Sequence, residues 1–339
     1  MANDTAAEAD TFPKLLIRNA RLFGDRPAIR HKDLGIWQSW TWGEVLAEVR
    51  AYAAGLSRLG LKRGDAIAIV GANRPRLYWS VMAAQMLGGI PVPVYADAVA
   101  DELAYVLAHA EVRFAAVQDQ EQVDKIFSVS ERLPKLERIV YDEPRGLRDY
   151  DHSRLHPIDD VIKDGRAALV DDAARTVLER EIAAGKGGDT SIILYTSGTT
   201  GASKGVVLTA EGCIRAASDT VAFDRLTERD TSLAYLPLAW VGDHYLNYAQ
   251  GLVAAFCTAC PESGETVAQD LREIGPTFYF APPRVFEQML TRVTIRMEDA
   301  GSIKRFLFHY FIGVARRYGE AILNGERVSP KATASRILG

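Results

Sequence analysis

The first half of the chain alternates between apolar residues at helical spacing and short apolar runs typical of buried strands. "TWGEVLAEVRAYAAGLSRLG" predicts a helix, and "DAIAIVGAN" directly after it predicts a strand. "RLYWSVMAAQMLGG" predicts a helix, "IPVPVYA" an extended segment, "ADELAYVLAHA" a helix and "VRFAAVQD" a strand. This alternation indicates an α/β fold with layered, mostly parallel β-sheets flanked by helices.

The ends of the first of these helices are marked by their own residues. Thr41 is placed to cap the helix N-terminus, and Glu44 stands three residues later, as in a capping box. Gly60 follows the last apolar position and is expected to end the helix.

The apolar pattern weakens between residues 143 and 188, where charged residues and glycines accumulate. We expect a long surface connection there, with one helix over about residues 171–184. That connection would join two subdomains, residues 11–142 and 189–339.

A second apolar stripe at helical spacing lies in "GSIKRFLFHYFIGVARRYGEAIL", with Lys304, Arg305, Arg316 and Arg317 beside it. The pattern predicts a helix. A packed helix is the favoured interpretation, and contact with a membrane surface is the alternative.

The charge balance of the chain argues against one class of partner. The 339 residues carry 40 Lys and Arg against 44 Asp and Glu, a formal net charge of -4, and the signs are interspersed. Such a surface argues against a nucleic-acid partner. The start, "MANDTAAEADTFPKLL", lacks the basic and apolar regions of a signal peptide.

Three cysteines, Cys213, Cys257 and Cys260, are too few and too clustered for a secreted disulfide framework. A cytoplasmic location is therefore expected, with peripheral contact at the membrane as the alternative. The spacing of Cys257 and Cys260 suggests the hypothesis of a metal or redox site. Neither a second cysteine pair nor a histidine pair accompanies them, and positions three apart on a strand face opposite sides. Small core residues are the favoured interpretation.

The stretch "LYTSGTTGASKGVVLT" carries the strongest chemical signal. In Thr196–Gly201, hydroxyl side chains and glycines allow several backbone N–H groups to point inward together, which forms an anion-binding nest. Lys204 adds a positive charge that can reach a phosphate oxygen. The loop therefore predicts a binding site for a nucleoside triphosphate. The alternative interpretation is a solvated polar hairpin loop without a ligand.

This loop is not a Walker P-loop. Ser203 precedes Lys204 and Gly205 follows it, whereas a Walker loop needs glycine before the lysine and Ser or Thr after it. The continuation "GVVLT" is β-branched, so a strand is expected where a Walker loop opens a helix. The sequence predicts a phosphate loop between two strands.

Residues 195–205 resemble the signature Tyr-Thr-Ser-Gly-Thr-Thr-Gly-x-Pro-Lys-Gly of the AMP-forming adenylating enzymes, with Ser203 where proline is usual. "LGLKRGDAIAIVGANRP", "LPLAWVGDHYLNY" and "PTFYFAPPRVFEQM" look like segments of the long-chain fatty acyl-CoA synthetase branch, in the same order. The resemblance runs from about Thr11 to the end. It implies that residues 11–339 are part of the large N-terminal domain of the adenylate-forming fold.

The resemblance implies a two-step reaction in which ATP and a fatty acid give an acyl-adenylate, and coenzyme A then takes the acyl group. Thr196 would also contact Mg²⁺, and Lys204, the catalytic group, would neutralise the phosphates. By the same resemblance the nucleotide is bound by Thr196, Ser197, Gly198, Thr199, Thr200, Gly201 and Lys204.

Trp240 stands where many relatives carry an aromatic residue or histidine that lines the acyl pocket, so we expect it to contact substrate; a plain buried tryptophan is the alternative. Asp243 and His244 follow. Adjacent residues point in different directions, so a structural role for this pair is favoured over general-base chemistry.

The resemblance also identifies motifs that do not appear before the chain stops at "SPKATASRILG": the adenine-contacting segment, the Mg²⁺-binding glutamate, the ribose-binding aspartate and the small C-terminal domain. We therefore expect the polypeptide to be inactive by itself. Two alternatives stay open, a non-catalytic nucleotide- or acyl-binding remnant and a ligase for an aryl or medium-chain carboxylate.

Overall fold

The computed structural model of the chain describes residues 9–196, 203–326 and 328. These residues divide into two units, with the boundary between Tyr279 and Phe280. Strands and helices alternate through most of the first unit, and its sheets are mostly parallel. The predicted α/β class is confirmed.

The described strands all lie in the first unit. They are β1 Pro27–Asp33, β2 Ile36–Thr41, β3 Ala66–Val70, β4 Ile90–Val94, β5 Phe114–Val117, β6 Arg138–Tyr141, β7 Leu155–Pro157, β8 Thr190–Thr196, β9 Lys204–Thr209, β10 Thr231–Leu233 and β11 Cys257–Cys260.

The described helices before residue 280 cover the sheets of the first unit, and the two after it form the second unit. They are α1 Phe12–Phe23, α2 Trp42–Arg58, α3 Pro75–Met86, α4 Ala100–His109, α5 Gln120–Ser128, α6 Ile158–Ala168, α7 Asp172–Ala184, α8 Ala210–Asp224, α9 Val241–Asp243, α10 Gln250–Ala254, α11 Val267–Ile274, α12 Pro283–Glu298 and α13 Ser302–Leu323. A π-helical segment, His244–Ala249, joins α9 to α10.

The strands form three sheets. A five-stranded parallel sheet has the order β4-β3-β5-β6-β7. A four-stranded sheet has the order β10-β11-β1-β2, and within it only β1 and β2 are antiparallel. The third sheet is the antiparallel pair β8 and β9, and β8 contacts β4 of the parallel sheet.

Strand β3 shows how the parallel sheet separates two apolar cores. Ile67 and Ile69 join the core shared with α2 and α3, whereas Ala66, Ala68 and Val70 join the core under α4 and α5. Successive strand residues point to opposite faces, so a strand covered on both sides is apolar at every position. This double cover explains the unbroken "AIAIV" of the sequence.

The predicted ends of α2 are confirmed. The Thr41 hydroxyl accepts the Glu44 backbone N–H at 3.2 Å, and the Glu44 carboxylate accepts the Thr41 N–H at 2.8 Å, which completes the capping box. Gly60, just past the helix, has a φ of 102°, a conformation that favours glycine.

The prediction of a surface connection over residues 143–188 is wrong in part. The helix expected near residues 171–184 is present as α7, but the segment also supplies β7 to the parallel sheet and α6 to the core. Ile158, Val161 and Ile162 of α6 are buried. The proposed boundary between residues 11–142 and 189–339 stays a prediction, and this segment lies inside the first unit.

The second unit contains α12 and α13. Helix α13 confirms the helix predicted for this stretch, and Ile303, Phe306 and Tyr310 on it are exposed. The packing of its apolar stripe against protein, favoured over contact with a membrane surface, stays a prediction. Among the residues described here, no helix has the length and apolar character needed to cross a bilayer.

Two glycines let α2 and α6 touch along their backbones. A Cβ atom at Gly165 would overlap the Ala51 carbonyl oxygen, and one at Gly55 would overlap the Val161 carbonyl. Because backbone cannot move aside as a flexible side chain can, neither position accepts a larger residue without separating the helices.

We expect Gly165→Ala to lower the free energy of unfolding by about 1–3 kcal/mol, the usual cost of overpacking a core. Gly264→Ala is the matched control, because a Cβ atom there would meet no atom within 4 Å beyond its chain neighbours and its φ is not positive. Urea unfolding of both variants measures the difference, and equal stability of the two would contradict the backbone contact.

Candidate active site

The β8–β9 hairpin confirms that the predicted phosphate loop connects two strands. The register pairs Thr196 with Lys204 and Tyr195 with Gly205, and both Thr196 and Lys204 are exposed at the end of the ladder. A hydroxyl and an ammonium group thus stand on opposite strands at the mouth of the loop. The predicted nucleotide-binding residues Ser197, Gly198, Thr199, Thr200 and Gly201 lie outside the described residues.

A cavity of about 510 Å³ opens beside this hairpin. Its lining brings Trp240 together with Thr196 and Ser203 from the two sides of the loop. Most of the remaining wall is apolar and comes from the end of β4, from α4 and from the turn around Trp240, and Glu102 is a charged residue of the lining. A pocket with apolar walls and a few polar groups at one side suits an amphiphilic ligand.

Trp240 is half-buried and lies against the backbone of Gly242. A Cβ atom at position 242 would overlap the six-membered ring of the indole. The absence of a side chain at Gly242 therefore leaves room for the indole, which forms part of the cavity wall. Gly242 was not among the predicted site residues, since only the packed geometry shows why glycine is needed there.

Asp243 anchors the same turn from the buried side. Its carboxylate accepts hydrogen bonds from the Asn73 amide at 2.9 Å, the Tyr78 hydroxyl at 2.9 Å and the Asn247 amide at 2.8 Å. Burial raises the pKa of Asp243 to about 7, although the three hydrogen bonds act in the opposite direction.

His244 packs among aromatic rings. Its ring centroid lies 5.8 Å from that of Phe12 and 5.3 Å from that of Tyr248, and burial lowers the pKa of His244 to about 4. Its Nε2 finds no hydrogen-bond partner among the described residues. Asp243 and His244 thus engage different neighbours, in agreement with a structural role for the pair.

The cysteines behave as small core residues. Cys257 and Cys260 lie on β11, both are buried with free thiols, and burial raises the pKa of Cys257 to about 11 and that of Cys260 well above its usual value. Within the described ranges, no group of three or more His, Cys, Asp or Glu side chains could hold a metal ion.

Solved structures with the same architecture are adenylate-forming enzymes. The long-chain-fatty-acid-CoA ligase FadD1 from Archaeoglobus fulgidus matches 86% of this chain and 54% of its own, with a TM-score of 0.69 at 18% identity. The anthranilate CoA ligase AuaEII, in complex with anthranoyl-AMP, matches 80% of this chain and 49% of its own, with a TM-score of 0.70 at 21% identity. At these identities the likeness shows the fold alone, which is that of the adenylate-forming class.

The sequence profile of the AMP-binding enzymes matches residues 16–334. This chain therefore belongs to the AMP-binding enzyme family, which confirms the resemblance drawn from the loop.

A curated relative is the long-chain-fatty-acid–CoA ligase ACSBG2 of Homo sapiens, which is 28% identical over 305 residues. The match includes 88% of this chain and 44% of the relative. The chain spans less than half the length of the curated relatives it matches.

The raised pKa of Asp243 predicts an unusual pH dependence of stability. An unfolded aspartate titrates near pH 4, so between about pH 4 and 7 the folded state holds this proton more tightly than the unfolded state does. The stability that Asp243 contributes is therefore fully present below about pH 4 and is lost as the pH rises through about 7.

We expect the free energy of unfolding to fall less steeply between about pH 5 and pH 8 in Asp243→Asn than in the unmodified protein, since the amide cannot ionise. Urea unfolding at several pH values measures the two slopes. Parallel slopes would mean that the carboxyl titrates alike in the folded and unfolded states.

Proposed function

We propose that the natural polypeptide that carries this chain is an AMP-forming long-chain fatty acid–CoA ligase. The observation that carries the proposal is the meeting of Thr196, Ser203 and Trp240 at one cavity beside the hairpin. Family membership and the long-chain-fatty-acid–CoA ligases among the relatives support it. The activity is proposed for the whole polypeptide, because these relatives are more than twice as long as the matched part.

In the first step a fatty carboxylate oxygen attacks the α-phosphorus of ATP, and the bond to the β-phosphate oxygen breaks with release of pyrophosphate. In the second step the coenzyme A thiol displaces AMP and forms the thioester. Negative charge builds on phosphate oxygens in the first step, so cationic and hydrogen-bonding groups at the hairpin would accelerate it.

The described residues fit this charge pattern. Lys204 is exposed at the end of the ladder and would bind the phosphates through its ammonium group. Thr196, directly opposite, would hold Mg²⁺ through its hydroxyl, and the bound ion would neutralise phosphate charge. A site of few protein ligands is typical of Mg²⁺ bound together with a nucleotide, in keeping with the lack of a dedicated metal cluster among the described residues.

The acyl group would lie along the apolar wall of the cavity. Val94 from β4, Val106 from α4 and Val241 from the turn line it, and Trp240 would border the carboxylate end. Burial of methylene groups against such a wall stabilises a long chain by about 0.8 kcal/mol for each group removed from water.

We expect Lys204→Ala to raise the KM for ATP by roughly ten- to hundredfold, because it removes a charge-assisted contact worth roughly 1.5–3 kcal/mol. ATP–pyrophosphate exchange with palmitate measures it. Lys163→Ala, at an exposed position on α6 away from the cavity, is the control. An unchanged KM for ATP in Lys204→Ala would mean that Lys204 does not bind the nucleotide.

An aryl carboxylate is the alternative substrate, since AuaEII, which has the same fold, was solved with anthranoyl-AMP. Acids of increasing chain length, together with benzoate, should separate the two possibilities in the exchange assay. We expect palmitate to have the highest kcat/KM, and a higher value for benzoate would end the long-chain proposal.

Trp240→Ala tests the acyl wall separately. Removal of the indole enlarges the cavity, so we expect the preference among acids of different length to shift toward bulkier or longer ones by about tenfold, a difference of about 1.4 kcal/mol. Competition assays with paired acids give this ratio directly. An unchanged ratio would return Trp240 to a role in packing.

A further inference from the structure

Two side chains of α4 hold the two strands at the base of the phosphate loop. The Tyr105 hydroxyl donates a hydrogen bond to the Ser203 carbonyl oxygen at 2.9 Å. His109, one turn later, is hydrogen-bonded through Nδ1 to the Tyr195 hydroxyl at 2.6 Å. The rings of Tyr105 and His109 are stacked, with centroids 5.6 Å apart and an interplanar angle of 25°. We call Tyr105 and His109 the α4 clamp.

The clamp acts where the ladder of the hairpin ends. Thr196 and Lys204 form the pair of the β8–β9 register that lies nearest the loop, and Ser203 lies just outside it. On the β8 side, the backbone is also fixed by the ring of Tyr195. This ring is buried and lies against Gly205 of the opposite strand. On the other side, the Tyr105 contact restrains the peptide unit that joins Ser203 to Lys204.

Ser203 is also the residue at which the loop departs from the family signature. A proline there has its φ fixed near about −65° by its own ring and needs no partner to limit its backbone. Serine has no such restraint, so its backbone loses more conformational entropy when it is ordered. The hydrogen bond from Tyr105 supplies an external restraint at the same residue, on its carbonyl side.

We propose that Tyr105 is a positioning residue for Lys204, and that its hydroxyl takes over the restraint that proline provides in the family signature. The inference rests on the proposed function, in that Lys204 binds the triphosphate of ATP. Tyr105 itself touches the loop backbone, and it acts on the nucleotide only through the position of Lys204.

The test is a double-mutant cycle of Tyr105→Phe and Ser203→Pro in the natural polypeptide, with the Kd for MgATP measured by isothermal titration calorimetry. Tyr105→Phe keeps the stacked ring and removes only the hydrogen bond, so we expect the Kd to rise about two- to tenfold. Ser203→Pro alone gives the reference Kd, since proline supplies the restraint without the hydrogen bond. The double variant should bind as Ser203→Pro does, because proline makes the hydrogen bond redundant.

Tyr150→Phe is the matched control. Its hydroxyl donates to Asp124 at 2.6 Å and accepts from Gln120 at 2.9 Å, and it does not line the cavity beside the hairpin. This variant also loses a tyrosine hydroxyl and its hydrogen bonds, so it reports the general effect of such a loss. We expect its Kd for MgATP to stay unchanged, even where its thermal midpoint falls as far as that of Tyr105→Phe.

Three outcomes would overturn the inference: an unchanged Kd in Tyr105→Phe, the same rise in Tyr150→Phe, or effects of Tyr105→Phe and Ser203→Pro that simply add. Lys204→Ala separates this failure from failure of the proposed function. If Lys204→Ala weakens MgATP binding and Tyr105→Phe does not, only the role of Tyr105 is wrong. If Lys204→Ala binds MgATP normally, the proposed nucleotide site itself is wrong.

Discussion

The pairing of β8 with β9 is the constraint on which the candidate site depends. It places Thr196 opposite Lys204, and every proposed contact with phosphate or Mg²⁺ starts from that register. A slip of one residue would turn each side chain to the other face of the ladder. Tyr195, buried and packed against Gly205, opposes such a slip because its ring has no equivalent position on the exposed face.

On the acyl side of the site, the cavity wall depends on the absence of a side chain at Gly242. The indole of Trp240 occupies the space that a side chain at Gly242 would need. Asp243 fixes the same turn through hydrogen bonds to α3 and to the preceding loop. Three residues of a four-residue segment therefore have different roles: Trp240 forms the wall, Gly242 leaves room for the indole and Asp243 anchors the turn.

The sequence was sufficient to predict the features that depend on neighbouring residues. The capping box of α2, the apolar strand β3 and the strands on both sides of the phosphate loop follow from short-range patterns, and the structure has them. Helix α6 was missed, because its place in the core depends on Gly165 meeting α2 across more than a hundred residues. Gly242 and Tyr105 were missed for the same reason, since their significance arises from contacts that a one-dimensional pattern does not contain.

The two larger sheets also differ in when they can form during synthesis. All strands of the parallel sheet lie between Ala66 and Pro157, so that sheet can assemble early on the ribosome. Strand β1 leaves the ribosome first, yet its parallel neighbour β11 ends only at Cys260. Until then the β1 edge of the β1–β2 hairpin is unpaired, and it can pair with a strand of another chain.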